Sequence, residues 1–169
     1  MKKLQAGTKN PQELQMIDRR TMLALVLSAI PVVACAKPVK AEILTVYKSP
    51  QCGCCGAWVE HVKASGLQVR VVETDRVAEK ADQLRVPEKF RSCHTAEIGG
   101  YFIEGHVPAE DIRKLLRERP QALGLSVPGM PIGSPGMEQG GRRETFNTVL
   151  VDRTGAGKIF HRHNVASTL

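Results

Sequence analysis

The chain has 169 residues, 42% of them hydrophobic and 4% aromatic, enough for one domain whose core rests on Val, Leu, Ile and Ala, plus a short extra segment. Its formal net charge of +7 is not a nucleic-acid signature. Seven of the 24 Lys and Arg and two of the 17 Asp and Glu lie in residues 1–41, so the rest carries 17 against 15, or +2, with no basic face to neutralise phosphates.

In chain order, Arg19-Arg20 come first, followed by an uncharged apolar run from Met22 to Cys35 and small residues at Ala34-Cys35-Ala36 and Val39-Lys40-Ala41. A basic start, an apolar middle and small residues at a cleavage point make a secretory signal. The run is shorter than the roughly 20 residues that cross a bilayer comfortably. Residues 1–41 are therefore predicted to be a signal peptide and N-terminal extension, leaving an exported mature form without a transmembrane segment. The paired arginines fit the twin-arginine route. Val32-Val33-Ala34-Cys35 resembles a lipoprotein cleavage box, but loss of Cys35 with the signal is the preferred reading.

The next apolar, β-rich run, Ile43-Leu44-Thr45-Val46-Tyr47, predicts a strand broken by Lys48-Ser49-Pro50. Residues 54–65 predict a helix with Ala57, Trp58, Val59 and Val62 on its apolar face, ended by Gly66. A strand over Leu67 to Val72 follows, then a charged helix from Val77 to Leu84 closed by Pro87. Gly99-Gly100 between Ala96-Glu97-Ile98 and Tyr101-Phe102-Ile103-Glu104 is a hairpin signal. Pro108 opens a helix through Arg119, with Ile112, Leu115 and Leu116 on one face. The resulting fold class is α/β, with the thioredoxin-like order β-α-β-α-β-β-α. Residues 124–144 hold six Gly and three Pro, with Pro-Gly-Met at both 128–130 and 135–137, and predict a structureless loop, functional or disordered. A hairpin over Phe146 to His161 completes a domain at 42–163, and residues 164–169 form a tail.

Four cysteines remain after the signal segment: Cys52, Cys54, Cys55 and Cys93. Three of them fall within four residues at a predicted helix start, where free N–H groups and the helix dipole favour thiolate over thiol. Gly53 is expected to allow the tight turn that lets several sulfurs converge. Cys52 and Cys55 have the spacing of a dithiol pair. Cys54 adds a sulfur that a disulfide shuttle does not need and a cluster of soft metal ions can use. In a thioredoxin-like order the loop before the third strand faces this helix start, so Cys93 is placed to supply a fourth sulfur. His94 beside it and His106 at the end of the fourth strand are candidate ligands, imidazole being a common partner of copper and zinc. Met130 and Met137 are the only methionines after the signal segment; their thioethers suit Cu(I), and loop packing is an equal alternative. His61 reads as a packing or surface residue. His161 and His163 read as a solvated pair with weak metal capacity, and the carboxylates as solvated helix faces. No hydrolase or P-loop motif occurs.

Tyr-Lys-Ser-Pro-Gln-Cys-Gly-Cys-Cys-Gly at 47–56, Ser-Cys-His-Thr-Ala at 92–96, Glu-Gly-His-Val-Pro-Ala at 104–109 and Val-Pro-Gly-Met-Pro-Ile-Gly-Ser-Pro-Gly-Met-Glu at 127–138 resemble the CopG-type copper-resistance proteins. The resemblance runs from about 43 to 163. It implies a periplasmic, thioredoxin-like protein with a cysteine-bridged copper cluster on Cys52, Cys54, Cys55 and Cys93, with His94 and His106 nearby, and a role in copper resistance that includes interconversion of Cu(I) and Cu(II). Turnover would require an electron donor, so periplasmic copper-handling or electron-donor proteins are the expected partners beside the metal ions. Two alternatives remain open: a metal-free thiol-disulfide oxidoreductase using Cys52 and Cys55, and a small module with a structural zinc.

Overall fold

A computed structural model describes residues 42–164; the predicted signal, with Arg19-Arg20 and Cys35, and residues 165–169 lie outside the described residues. The elements run β1 (Ile43–Lys48), α1 (Gly53–Ala64), β2 (Gln68–Glu73), α2 (Val77–Gln83), a 3-10 turn (Glu88–Phe90), β3 (His94–Ile98), β4 (Tyr101–Gly105), α3 (Ala109–Glu118), β5 (Ala122–Val127), β6 (Phe146–Asp152) and β7 (Gly157–His163). All seven strands form one sheet in the order β2-β1-β3-β4-β5-β6-β7. β1 pairs parallel with β2 across α1, and β4 parallel with β5 across α3, while the other neighbours run antiparallel. The part from β1 to α3 is the expected thioredoxin-like unit.

The α1 face comes from spacing. Cys55, Trp58, Val59 and Val62 recur at helical intervals and are buried, whereas Ala57, expected on that face, is exposed. Trp58, Val59 and Val62 pack with Leu44, Val46, Ile103, Ile112, Leu115 and Leu125 in the main core, which places α1 and α3 on one side of the sheet. The alternating residue Phe102 joins Ala81, Val86 and Val151 on the other side, against α2.

Strand β5 is a correction to the expected loop over 124–144, which begins only after Val127. The strand is buried along most of its length between β4 and β6. Gly124 hides it from a propensity reading, yet a Cβ there would lie 2.1 Å from the Phe102 carbonyl oxygen and 2.6 Å from its ring. Glycine is required by the close approach of β4, not by a turn.

Candidate metal centre

The pairing registers bring the site together before any side chain is considered. Lys48, at the end of β1, lies opposite His94 at the start of β3, and Thr95 lies opposite Glu104 near the end of β4. The chain leaving β1, the chain entering β3 and the chain leaving β4 therefore meet at one end of the sheet. These three segments carry Cys52–Cys55, Cys93-His94 and His106.

Cys52 is the N-cap residue of α1, its N–H donating to the Ser49 carbonyl at 3.1 Å. Gly53 is the first helical residue; its φ is not left-handed and a Cβ there would meet nothing within 4 Å, so the expected need for a tight glycine turn does not hold. The N-cap position of Cys52 puts three of the sulfurs on the first turn of α1 without it. Cys52 and Cys55 are joined as a disulfide, and Cys54 and Cys93 are free thiols. Cys54 Sγ lies 3.5 Å from Cys52 Sγ. All four Sγ atoms fall within 4.8 Å of one another.

Cys93 also faces two imidazoles. Its Sγ lies 3.1 Å from His106 Nε2 and 3.4 Å from His94 Nδ1. His106 Nδ1 stands 2.8 Å from the Pro135 carbonyl, an acceptor only, so Nδ1 carries the proton and donates. That leaves the Nε2 lone pair toward the sulfur, the arrangement by which ligand histidines are usually held. His94 is wholly buried, its ring 4.4 Å from that of Trp58 and 5.2 Å from that of His106. Its Nε2 has no hydrogen-bond partner among the described residues. Burial, then the neighbouring His106, pull His94 down to about 3, so the ring is neutral at ordinary pH. Burial also lowers His106. Burial, and next the adjacent Cys54, push the Cys93 thiol up to about 12. A neutral thiol beside two neutral imidazoles suits a site that exchanges protons for a metal ion.

The Gly/Pro segment covers this end of the sheet. Gly136, at φ +82, rests on α1, where a Cβ would come within 2.6 Å of the Trp58 nitrogen and 2.8 Å of the Cys54 carbonyl. Ser92 Oγ donates to the Gly129 carbonyl at 2.6 Å. Met130, next in sequence, is 52% exposed, and Met137 is half-buried at the close of the Ser134–Met137 turn. The segment is thus seated on the site, with its thioethers on the covering loop.

Several contributors are not evident from motif reading. Glu104 is buried at 1% exposure; its carboxylate accepts from the Ser92 N–H and the Thr95 hydroxyl, both at 2.7 Å, and so braces the chain on both sides of Cys93. Burial pushes it up to about 7. Trp58 Nε1 donates to the Val107 carbonyl at 2.8 Å and fixes α1 against the strand end that bears His106. Asp111 is equally buried, and His161 and His163 are bound to it instead of being solvated. The reading of all carboxylates as solvated is corrected at Glu104 and Asp111. A signal did exist for Asp111, which shares its helical face with Leu115 four residues on. His61 is a packing residue as expected, its Nε2 accepting from the Ala109 N–H at 3.3 Å.

A family model described as "Protein of unknown function, DUF411" matches residues 90–137, the stretch that carries Cys93, His94, His106, Met130 and Met137. No curated protein matches the chain. Two solved structures are similar to it, titled copper resistance protein copG form 2 and form 1. Each is 40% identical with a TM-score of 0.70, and the match covers 73% of this chain and 99% and 98% of theirs. Fold and sulfur cluster together define a thioredoxin-like protein with a metal-binding site. The chain belongs to the CopG-type copper-resistance family, and its role is a copper-related, metal-binding one.

Proposed function

We propose that Cys52, Cys54, Cys55 and Cys93 together hold Cu(I), as more than one ion per chain, with His106 and His94 at the Cys93 side and Met130 and Met137 on the covering loop. The observation that carries this reading is the convergence of four Sγ atoms within 4.8 Å. Soft sulfur favours Cu(I), and His94 Nδ1, 3.4 Å from Cys93 Sγ, and the oriented His106 Nε2 are further donors of the right kind. Copper bound there supplies one-electron chemistry between Cu(I) and Cu(II). The chain's part is to present thiolates. Reduction of the Cys52–Cys55 disulfide takes two electrons and two protons from an external donor and yields two thiols beside Cys54. His106 Nε2 is the acceptor nearest the Cys93 proton. We further place the working protein in the periplasm, exported by residues 1–41, with 42–163 as the metal-binding domain and copper-handling or electron-donor proteins as its partners. No helix among the described residues is long and apolar enough to cross a membrane.

The test is an anaerobic Cu(I) titration of the reduced protein followed by X-ray absorption. More than one copper per chain in sulfur-dominated coordination supports the reading, while a single tightly held zinc after metal-replete expression assigns a structural site instead. The Cys52–Cys55 disulfide favours a second reading, thiol-disulfide exchange. It prevails if the reduced protein takes up no metal and reduces insulin disulfides.

A further inference from the structure

A second group of potential ligands lies at the N-terminal turn of α3 and the end of β7. His161 and His163 sit two residues apart on the edge strand β7, so both rings fall on one face. Both are held by Asp111, whose carboxylate is 1% exposed: His161 Nδ1 lies 2.7 Å from Oδ1 and His163 Nε2 lies 2.8 Å from Oδ2. Thr148 Oγ1 donates to the same Oδ2 at 2.5 Å. Among the described residues no Lys or Arg pairs with Asp111, whose carboxylate is met by the two imidazoles and the Thr148 hydroxyl. Phe146 stacks on His163 at 4.6 Å and fixes the ring plane.

With Nε2 of His163 turned to Asp111, its Nδ1 is left 3.9 Å from Glu110 Oε1. His161 Nδ1, the nitrogen held by Asp111, is also 3.9 Å from that oxygen, so the nitrogen that His161 keeps free for an ion is Nε2. One atom each from Glu110, His161 and His163 lies within 4.8 Å of the others. Ligands of a tetrahedral ion with bonds near 2.0 Å stand roughly 3.3 Å apart. Glu110, whose side chain is 66% exposed, is free to swing toward an ion held by the imidazoles. A carboxylate behind a histidine whose other nitrogen faces outward is the support that ligand histidines receive in metal sites. His163 and Glu110 also line a cleft of about 390 Å³, which gives the group an approach from solvent.

The geometry points to a second metal site, in which His161, His163 and Glu110 bind one divalent ion of the Cu²⁺ or Zn²⁺ class and Asp111 supplies the buried counter-charge. Imidazole and carboxylate are harder donors than thiolate, so this site prefers divalent ions where the sulfur cluster prefers Cu(I). The two differ in chemistry and share no ligand. They are also joined structurally: Pro135, whose carbonyl holds His106, lines the same cleft as His163.

The test uses the full chain with Cys35→Ser, Cys54→Ser and Cys93→Ser, its other two cysteines kept as the disulfide, so that no thiol remains to take or reduce the probe. Cu²⁺ is titrated, followed by calorimetry and electron paramagnetic resonance, and Zn²⁺ is then added in competition. The expected result is one Cu²⁺ per chain with hyperfine coupling to imidazole nitrogen. Binding should weaken by about tenfold or more in His163→Asn and in His161→Asn, and measurably in Glu110→Gln. Glu110 is exposed, so its variant folds whatever befalls the histidine variants. Failure to take up Cu²⁺, or Cu²⁺ binding undiminished in Glu110→Gln and in those histidine variants with a native circular dichroism spectrum, overturns the proposal. Neither outcome touches the sulfur site, whose free thiols this variant lacks.

Discussion

Cys93 Sγ and His106 Nε2 face each other at 3.1 Å, with the imidazole proton committed to Pro135 on the opposite nitrogen. The ring is thus held as an acceptor toward sulfur. Replacing it by Asn, which keeps a polar group but loses the aimed lone pair, is expected to lower Cu(I) affinity by about tenfold. Competition against a chromophoric Cu(I) chelator measures this; an equal affinity would confine His106 to packing.

Cys54 is the sulfur that a dithiol pair does not need. Cys54→Ser leaves Cys52, Cys55 and Cys93 in place and is expected to reduce the copper bound per chain, read by metal analysis after anaerobic loading. Unchanged stoichiometry would make this thiol incidental to the site.

The covering segment is fixed at one point more tightly than elsewhere. Gly136→Ala meets both a left-handed φ of +82 and a Cβ contact of 2.6 Å to the Trp58 nitrogen. The expected cost is about 1–3 kcal/mol, read as a lower urea midpoint, or else faster proteolysis between 128 and 144 if the loop lifts to relieve the clash. If neither changes, the loop is not seated on α1 in solution.

The loop thioethers have a sharper test. Met130→Ala combined with Met137→Ala is expected to loosen Cu(I) binding with the sulfur count intact. An unaltered affinity would assign both side chains to the covering of the site alone.

Glu104 makes stability depend on pH in an unusual direction. Its carboxyl has an ordinary value of 4.5 and rises to about 7 in the folded protein because it is buried. Between those values the folded chain keeps a proton that the unfolded chain has released. The stability owed to it is therefore full below about pH 4.5 and is lost as pH rises through 7, a difference of about 3 kcal/mol. His94, lowered to about 3, acts in the opposite sense: its contribution is present above pH 6.5 and is lost as pH falls toward 3. Glu104→Gln separates the two, since it keeps an acceptor for the Ser92 N–H and cannot ionise. Relative to the parent, the metal-free variant is expected to be more stable at pH 8 than at pH 5 by about that amount, measured by urea unfolding. Parallel profiles would show that Glu104 is ionised in the fold throughout.

Much of this architecture was legible in the residues. Strong periodicity marked β1, α1, the Gly99-Gly100 hairpin and α3, and the order of those elements implied that Cys93 would face the start of α1. What escaped were features that depend on distant packing. Gly124 looks like a loop residue until Phe102 lies against it, so the residue pattern merges β5 into the loop. Glu104 sits in an apolar strand with nothing local to announce that Ser92 and Thr95 would satisfy it. The histidines of β7 read as solvated because their partner, Asp111, lies some fifty residues earlier in the chain.

The four sulfurs come from two bodies, three from the first turn of α1 and one from the rim of the sheet, and what holds those bodies in step is Trp58, through Val107 and the face of His94. Metal affinity therefore works as a gauge of how the helix is seated. A substitution beneath α1, at Val59 or Val62, that lets it slide a fraction of a turn would detune the centre without altering a single ligand. Conversely, an ion bridging the two bodies would strap helix to sheet and raise the temperature at which they part.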